Sequence, residues 1–233
     1  MRSQVASSFF LMAMLCGCCA SIENQVAFQT GLGGFGEVRA PISSFEERRF
    51  ATVIRQQYDF SCGSAALATL LNHYNRARSE ATVFNGMWRA GNRAQISKLG
   101  FSLGDMKRYL LAIGLKSDGY NLTLEKIEAG GVPGIALVEI NGYRHFVVVK
   151  GINDREMLIG DPALGLRTMP RRDFEKAWNG IYFIINQDTR AGRESFNVDR
   201  QWAAFSRAPV GAEFVQPLSQ QALTLTAPFI RDF

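Results

Sequence analysis

Between residues 134 and 161 the chain reads "GIALVEI", Asn141-Gly142, "YRHFVVVKG" and, after a short polar break, "REMLIGD". This run constrains the fold more than any other. Asn-Gly between two apolar stretches is a strong hairpin signal, because the favoured two-residue turn needs positive φ at both positions. A second tight turn about Asn153 gives three antiparallel strands in succession, and "GIYFIIN" at residues 180–186 supplies another. Upstream the period changes to that of helices. Ala65, Ala66, Leu67, Ala68, Leu70, Leu71 and Tyr74 wrap most of a helix over residues 61–74, with Ser61 placed to cap it. Further helices are expected at residues 81–90 and 103–113, the latter stopped by Gly114, and a turn or two at residues 123–130. Helices first and an antiparallel meander afterwards argue an α+β fold, N-terminal helices packed on an antiparallel sheet, rather than alternating βαβ units.

A chain of 233 residues with 47% hydrophobic composition suits one domain with or without an extension. The net charge of +5 is spread along the chain, which argues a solvated surface and no nucleic-acid partner. The N-terminus, "MRSQVASSFFLMAMLCGCCA", has one Arg, an apolar run and then small residues, the layout of a secretory signal over residues 1–20. Two processing routes stay open: cleavage ahead of Ser21, or lipidation at Cys18 in an imperfect lipobox. Only the second would bring a membrane into play, and periplasmic export is the expectation either way. Residues 21–50 read as a lead-in linker. Within it, "GLGGFGEV" at residues 31–38 fits the glycine-rich loop of protein kinases, but the strand lysine, His-Arg-Asp and Asp-Phe-Gly that a kinase needs do not follow in order. Beyond residue 187 the pattern dissolves into an extension, residues 188–233, with a short helix expected near Trp202.

Of the four cysteines, Cys16, Cys18 and Cys19 fall in the targeting segment, so Cys62 stands alone in the body of the chain. A leftover cysteine in an exported protein is either buried and inert or reactive. There are two histidines. His73 lies about 16 Å along the same helix from Cys62, at 1.5 Å per residue, and cannot partner it. His145 sits on a strand and shares a face with Val147 and Val149, so it needs a buried hydrogen-bond partner. Folding the next hairpin about Asn153 puts Asp161 opposite His145 or one position off. The constellation is then Cys62 as nucleophile at a helix N-terminus, where thiolate is favoured, His145 as base and later acid, and Asp161 as the group that fixes the imidazole tautomer. The alternative is an inert core cysteine and a structural His-Asp pair.

"RQQYDFSCGSAALATLLNHY" resembles the cysteine box of C39 peptidases, papain-like enzymes known for removing double-glycine leader peptides, and "HFVVVKGINDREMLIGDPALG" resembles their His and Asp box. The resemblance covers residues 52–185. It implies a papain-like cysteine peptidase fold, a peptidase domain over residues 51–187 and a polypeptide substrate, whether an amyloid subunit or a leader peptide; nothing in the sequence itself calls for a metal or organic cofactor. Gln56, six residues ahead of Cys62, matches the family glutamine that helps form the oxyanion hole, with Gln57 as the neighbouring candidate. Asp59 fits the box in a turn and is assigned structure rather than chemistry. Ser61 stands where many transporter-linked members carry Asp, which places this chain with stand-alone relatives and argues against double-glycine leader specificity; with its signal-like N-terminus it looks most like the periplasmic C39-like proteins that accompany functional-amyloid secretion systems. A non-catalytic peptide-binding module, amide transfer on the same scaffold, and self-cleavage at "GLGG" remain as alternatives.

Overall fold

The computed structural model describes residues 25–28, 38–41, 44–140 and 142–205. The targeting segment, the "GLGG" stretch, Asn141 and the weakly β-like "ALTLT" of the tail lie outside the described residues. The chain forms two compact units, residues 1–45 and 46–233. In the first, β1 (Gln25–Phe28) pairs antiparallel with β2 (Val38–Pro41), so the stretch expected as a linker contains a short ladder.

From there the elements run α1 (Phe45–Phe50), α2 (Cys62–His73), α3 (Glu80–Ala90), α4 (Arg93–Leu99), α5 (Leu103–Ala112), β3 (Ser117–Asn121) and α6 (Leu124–Gly130). They continue with β4 (Gly134–Ile140), β5 (Tyr143–Ile152), β6 (Glu156–Asp161), β7 (Gly165–Pro170), α7 (Arg171–Ala177), β8 (Trp178–Ile185), α8 (Thr189–Glu194) and α9 (Asp199–Ala203). Local chemistry sets several ends. Ser79 accepts from the Thr82 amide to start α3, Asn92 accepts from that of Gln95 to start α4, and Ser102 and Asp105 form a reciprocal capping box on α5.

β3 to β8 form one antiparallel sheet in the order β3-β8-β4-β5-β6-β7. The alternation along β5 divides the core. Phe146 and Val148 join Leu67, Leu70 and Leu71 of α2, Val83 and Met87 of α3, and Met106 and Leu110 of α5. Val147 and Val149 join Leu124 and Ile127 of α6 and Phe174 of α7 in a second cluster. Helices therefore cover both faces, where the sequence pointed only to the N-terminal ones. α2 is buried on nearly every side, with Leu67, Leu70 and Leu71 all at 0% exposure.

The β5–β6 hairpin departs from the register expected. Its turn is centred beyond Asn153, whose amide bonds to the Glu156 carbonyl. Val149 pairs with Ile159 and Gly151 with Leu158, so Lys150 is an extra, bulged residue. The register Val148↔Gly160 extends to place Asp161 opposite Val147, not His145. His145 and Asp161 are diagonal neighbours on one face, within reach of side chains but not of Cβ contact.

The extension beyond residue 187 docks on this bulge. The Asn197 amide N–H donates to the Lys150 carbonyl at 2.9 Å, its Oδ1 accepts from the Ile152 amide at 2.7 Å, and its Nδ2 donates to the Ile152 carbonyl at 3.0 Å. Asn197 holds φ 55, a left-handed value that asparagine tolerates better than most residues. Phe196 is buried in the second cluster, and Ser195 Oγ lies 2.9 Å from His73 Nδ1. Asn197→Ala removes both side-chain bonds and strains the turn. It is expected to lower unfolding free energy by about 1–2 kcal/mol in urea denaturation, whereas a tail that only brushes the domain would leave the midpoint unmoved.

Candidate active site

Cys62 is the first residue of α2 and is half-buried. It sits where the free N–H groups of a helix start favour negative charge. Ser61 does not cap the helix with its side chain. Its Oγ instead accepts from the Tyr58 amide at 3.1 Å and donates to the Tyr58 carbonyl at 3.0 Å, closing the turn that presents the thiol. Behind that turn Ser64 Oγ lies 2.9 Å from the Ser61 carbonyl and 3.0 Å from Glu80 Oε1, tying the first turn of α2 to α3.

His145 arrives from β5, 6% exposed, and its Nε2–H donates to Asp161 Oδ1 at 2.8 Å. Its other nitrogen, Nδ1, is buried and, among the described residues, meets no nitrogen or oxygen partner, leaving it to the Cys62 thiol beside the ring. Burial pushes the imidazole's pKa down, but the Asp161 hydrogen bond, the Cys62 thiol beside it and the Asp161 charge outweigh that and hold it at about 9. The Tyr143 ring stacks on the imidazole at 5.8 Å, and its hydroxyl donates to the Asp59 carbonyl at 3.4 Å, so Asp59 acts through its backbone in the loop ahead of Cys62.

Asp161, the last residue of β6, is 2% exposed and held by four donors. Oδ1 accepts from His145 and from the amides of Ala163 at 2.9 Å and Leu164 at 3.2 Å, while Oδ2 accepts from Arg167 Nε at 3.1 Å. Burial pushes its carboxyl pKa up; the His145 hydrogen bond and charge, the Ala163 amide and the Arg167 guanidinium overcome this and hold it below the ordinary value. Arg167 and the two turn amides had no signal in the sequence beyond lying just after Asp161.

Gln56 is brought to the same place by a backbone bond, its amide donating to the Pro162 carbonyl at 3.0 Å, directly after Asp161. Its side-chain Oε1 is buried and, among the described residues, unpartnered, whereas Gln57 is exposed. Cys62, His145, Asp161 and Gln56 thus converge where α2 meets the ends of β5 and β6. His73 does not join them: at the far end of α2, burial and the Lys150 charge lower it to about 3 despite its Ser195 bond. One element the sequence did not reveal is a run of aromatic rings. Tyr58 stacks on Phe60 at 5.8 Å, Phe84 contacts both, and Trp88 and Phe101 complete the group. Tyr58 is 53% and Phe60 36% exposed, immediately ahead of the thiol in the chain. Among the described residues no group of three or more His, Cys, Asp or Glu could hold a metal ion, and no helix is long and apolar enough to cross a membrane.

An imidazole tied to a carboxylate at one nitrogen and open at the other, beside a thiol at a helix start, is the arrangement of a cysteine peptidase. The Peptidase C39 family model matches residues 51–190, and the chain belongs to that family of peptidases. A Pseudomonas aeruginosa protein named probable functional amyloid protease FapD is 41% identical over 155 residues, covering 66% of this chain and 69% of its own. Its namesake in Pseudomonas fluorescens is 39% identical over 176 residues, covering 75% and 76%. The peptidase domain of Streptococcus ComA, a bi-functional ABC transporter, aligns with a TM-score of 0.50 and 20% identity over 57% of this chain and 96% of that domain. The last comparison establishes the papain-like C39 fold.

The raised imidazole sets the sign of a pH effect. The stability contributed by charged His145 is present in full below its ordinary unfolded value, about 6.5, and is lost as pH rises through about 9. In ring-proton NMR, His145 is expected to titrate near pH 9. In Asp161→Asn, which removes the carboxylate's hydrogen bond and charge and leaves only the Cys62 thiol to oppose burial, it should titrate clearly lower. An unshifted titration in that variant would break the link.

Proposed function

We propose that the protein is an exported thiol endopeptidase acting on a polypeptide of a functional-amyloid export system, with Cys62 as nucleophile, His145 as base and acid, Asp161 as orienter and Gln56 in the oxyanion hole. The observation that carries this is the buried His145, bound through Nε2 to Asp161 and open at Nδ1 beside Cys62. In the cycle, His145 Nδ1 holds the proton given up by Cys62, so an imidazolium stands beside the sulfur as Sγ attacks the scissile carbonyl carbon. The oxyanion is met by the Gln56 side-chain N–H₂ and the Cys62 backbone N–H. Collapse breaks the C–N bond as His145 hands its proton to the leaving amine. Water then attacks the thioester, losing a proton to His145, and collapse of the intermediate breaks the C–S bond, releasing the acid product and restoring the imidazolium beside the sulfur.

The aromatic run beside the thiol suits an apolar substrate side chain near the cleaved bond. The amyloid assignment is supported by the names of the two Pseudomonas relatives, and export to the periplasm by the signal-like residues 1–20, with lipidation at Cys18 as its membrane-bound variant.

Mass spectrometry of exported polypeptides from cells carrying wild-type or Cys62→Ala protein tests the reading. A cleaved polypeptide is expected to persist uncut in the variant, and an identical peptide pattern would sink it. With a processed peptide in hand, Gln56→Ala should lower kcat by about 10²- to 10³-fold, as loss of an oxyanion donor does elsewhere.

A further inference from the structure

Lys150 lies outside everything the mechanism uses, yet it is 1% exposed and, among the described residues, makes no ion pair. Burial alone pulls its amine down to about 7. A lone buried amine is costly, so the hydrogen bond it makes among the described residues is informative: Nζ donates to the Thr52 carbonyl at 2.8 Å. The bulge in β5 makes this possible, because the extra residue re-aims a side chain out of the normal alternation. Gly160, paired with Val148 across the ladder, leaves room for it. A Cβ there would stand 3.1 Å from both Lys150 Cδ and Val53 Cγ2.

Thr52 opens a segment in which every second residue is fixed by a different element. The Thr52 carbonyl is held by Lys150 of β5, the Ile54 amide by Thr69 Oγ1 of α2 at 2.8 Å, and the Gln56 amide by the Pro162 carbonyl at 3.0 Å. The strand that carries His145 thereby also anchors the segment that carries Gln56.

We propose that Lys150 is a positioning residue for the oxyanion hole: through the Thr52 carbonyl, and together with Thr69, it sets the path of residues 52–56 and so the placement of the Gln56 amide relative to Cys62. This rests on the role of Gln56 given above. It separates two steps that a general loss of packing would damage together, thiol reactivity and oxyanion stabilisation.

The test uses the full chain and two small probes. Iodoacetamide reads thiol reactivity without needing an oxyanion hole, and p-nitrophenyl acetate, in pre-steady-state burst experiments with Cys62→Ala as blank, reads acylation, which does need one. Lys150→Met is expected to alkylate within about twofold of wild type and to acylate at least about tenfold more slowly, a fraction of what removing the donor itself costs. Added to Gln56→Ala, it should slow acylation no further. Thr69→Val, nearly isosteric, removes the middle anchor and should show the same selective loss, which keeps the test open should Lys150→Met not fold. Equal loss of alkylation and acylation, or full additivity with Gln56→Ala, would overturn the proposal and leave the role of Gln56 standing. Unchanged acylation in Gln56→Ala would instead remove the role of Gln56, and with it the ground for this one.

Discussion

The hydrogen bond from His145 to Asp161 is the interaction the rest of the structure serves. Two groups this deeply buried stay together because each supplies what the other needs: a carboxylate for an imidazole otherwise pushed neutral, and a donor for an anion otherwise stripped of water. The Ala163 and Leu164 amides and Arg167 complete the carboxylate's shell, so its orientation is fixed from three further sides. With Nε2 so engaged, Nδ1 is the nitrogen left for the thiol. Half of the chemistry is thus decided before Cys62 is considered.

The other half is decided by α2. Its alanine-rich, almost wholly buried body presses on the sheet through Phe146 and Val148, and its first residue is the thiol. Phe146 is the neighbour of His145 in β5, so the contact that seats the helix also sets how the Cys62 thiol meets the imidazole. At the opposite end His73, Ser195 and the Asn197 clasp close the structure around the β5 bulge. Residues 191–205 lie beyond the family match yet pack against the same strand. The extension is part of what holds β5 in place.

Much of this was legible in the residues. The positions of α2, α3, α5 and the β4–β5 hairpin followed from apolar period and a glycine at positive φ in the turn, Gly142 at 79°. That His145 and Asp161 share a face also followed, since the real register differs from the expected one by two residues and a shift of two preserves the face. The offset itself was hidden, because a bulge at Lys150 and a turn centred past Asn153 leave no mark in composition. Ser61 misled for a related reason: its hydroxyl is spent on Tyr58, and a sequence cannot show which of two local backbone partners a serine chooses. β3, rich in Asp, Gly and Asn, has little strand propensity and exists because β8 offers it a ladder. The aromatic run beside Cys62 joins residues from separate elements, which no local pattern reveals.

In the proposed function, peptide cleavage passes through a covalent bond to Cys62 drawn up by His145. Acid quench of the protein mixed with the polypeptides exported alongside it, followed by intact-mass and fragment analysis, tests this most directly. A thioester on Cys62 is expected, appearing before the second product and absent in His145→Ala. Cleavage that proceeds with no acyl group on Cys62 at any time point would contradict it.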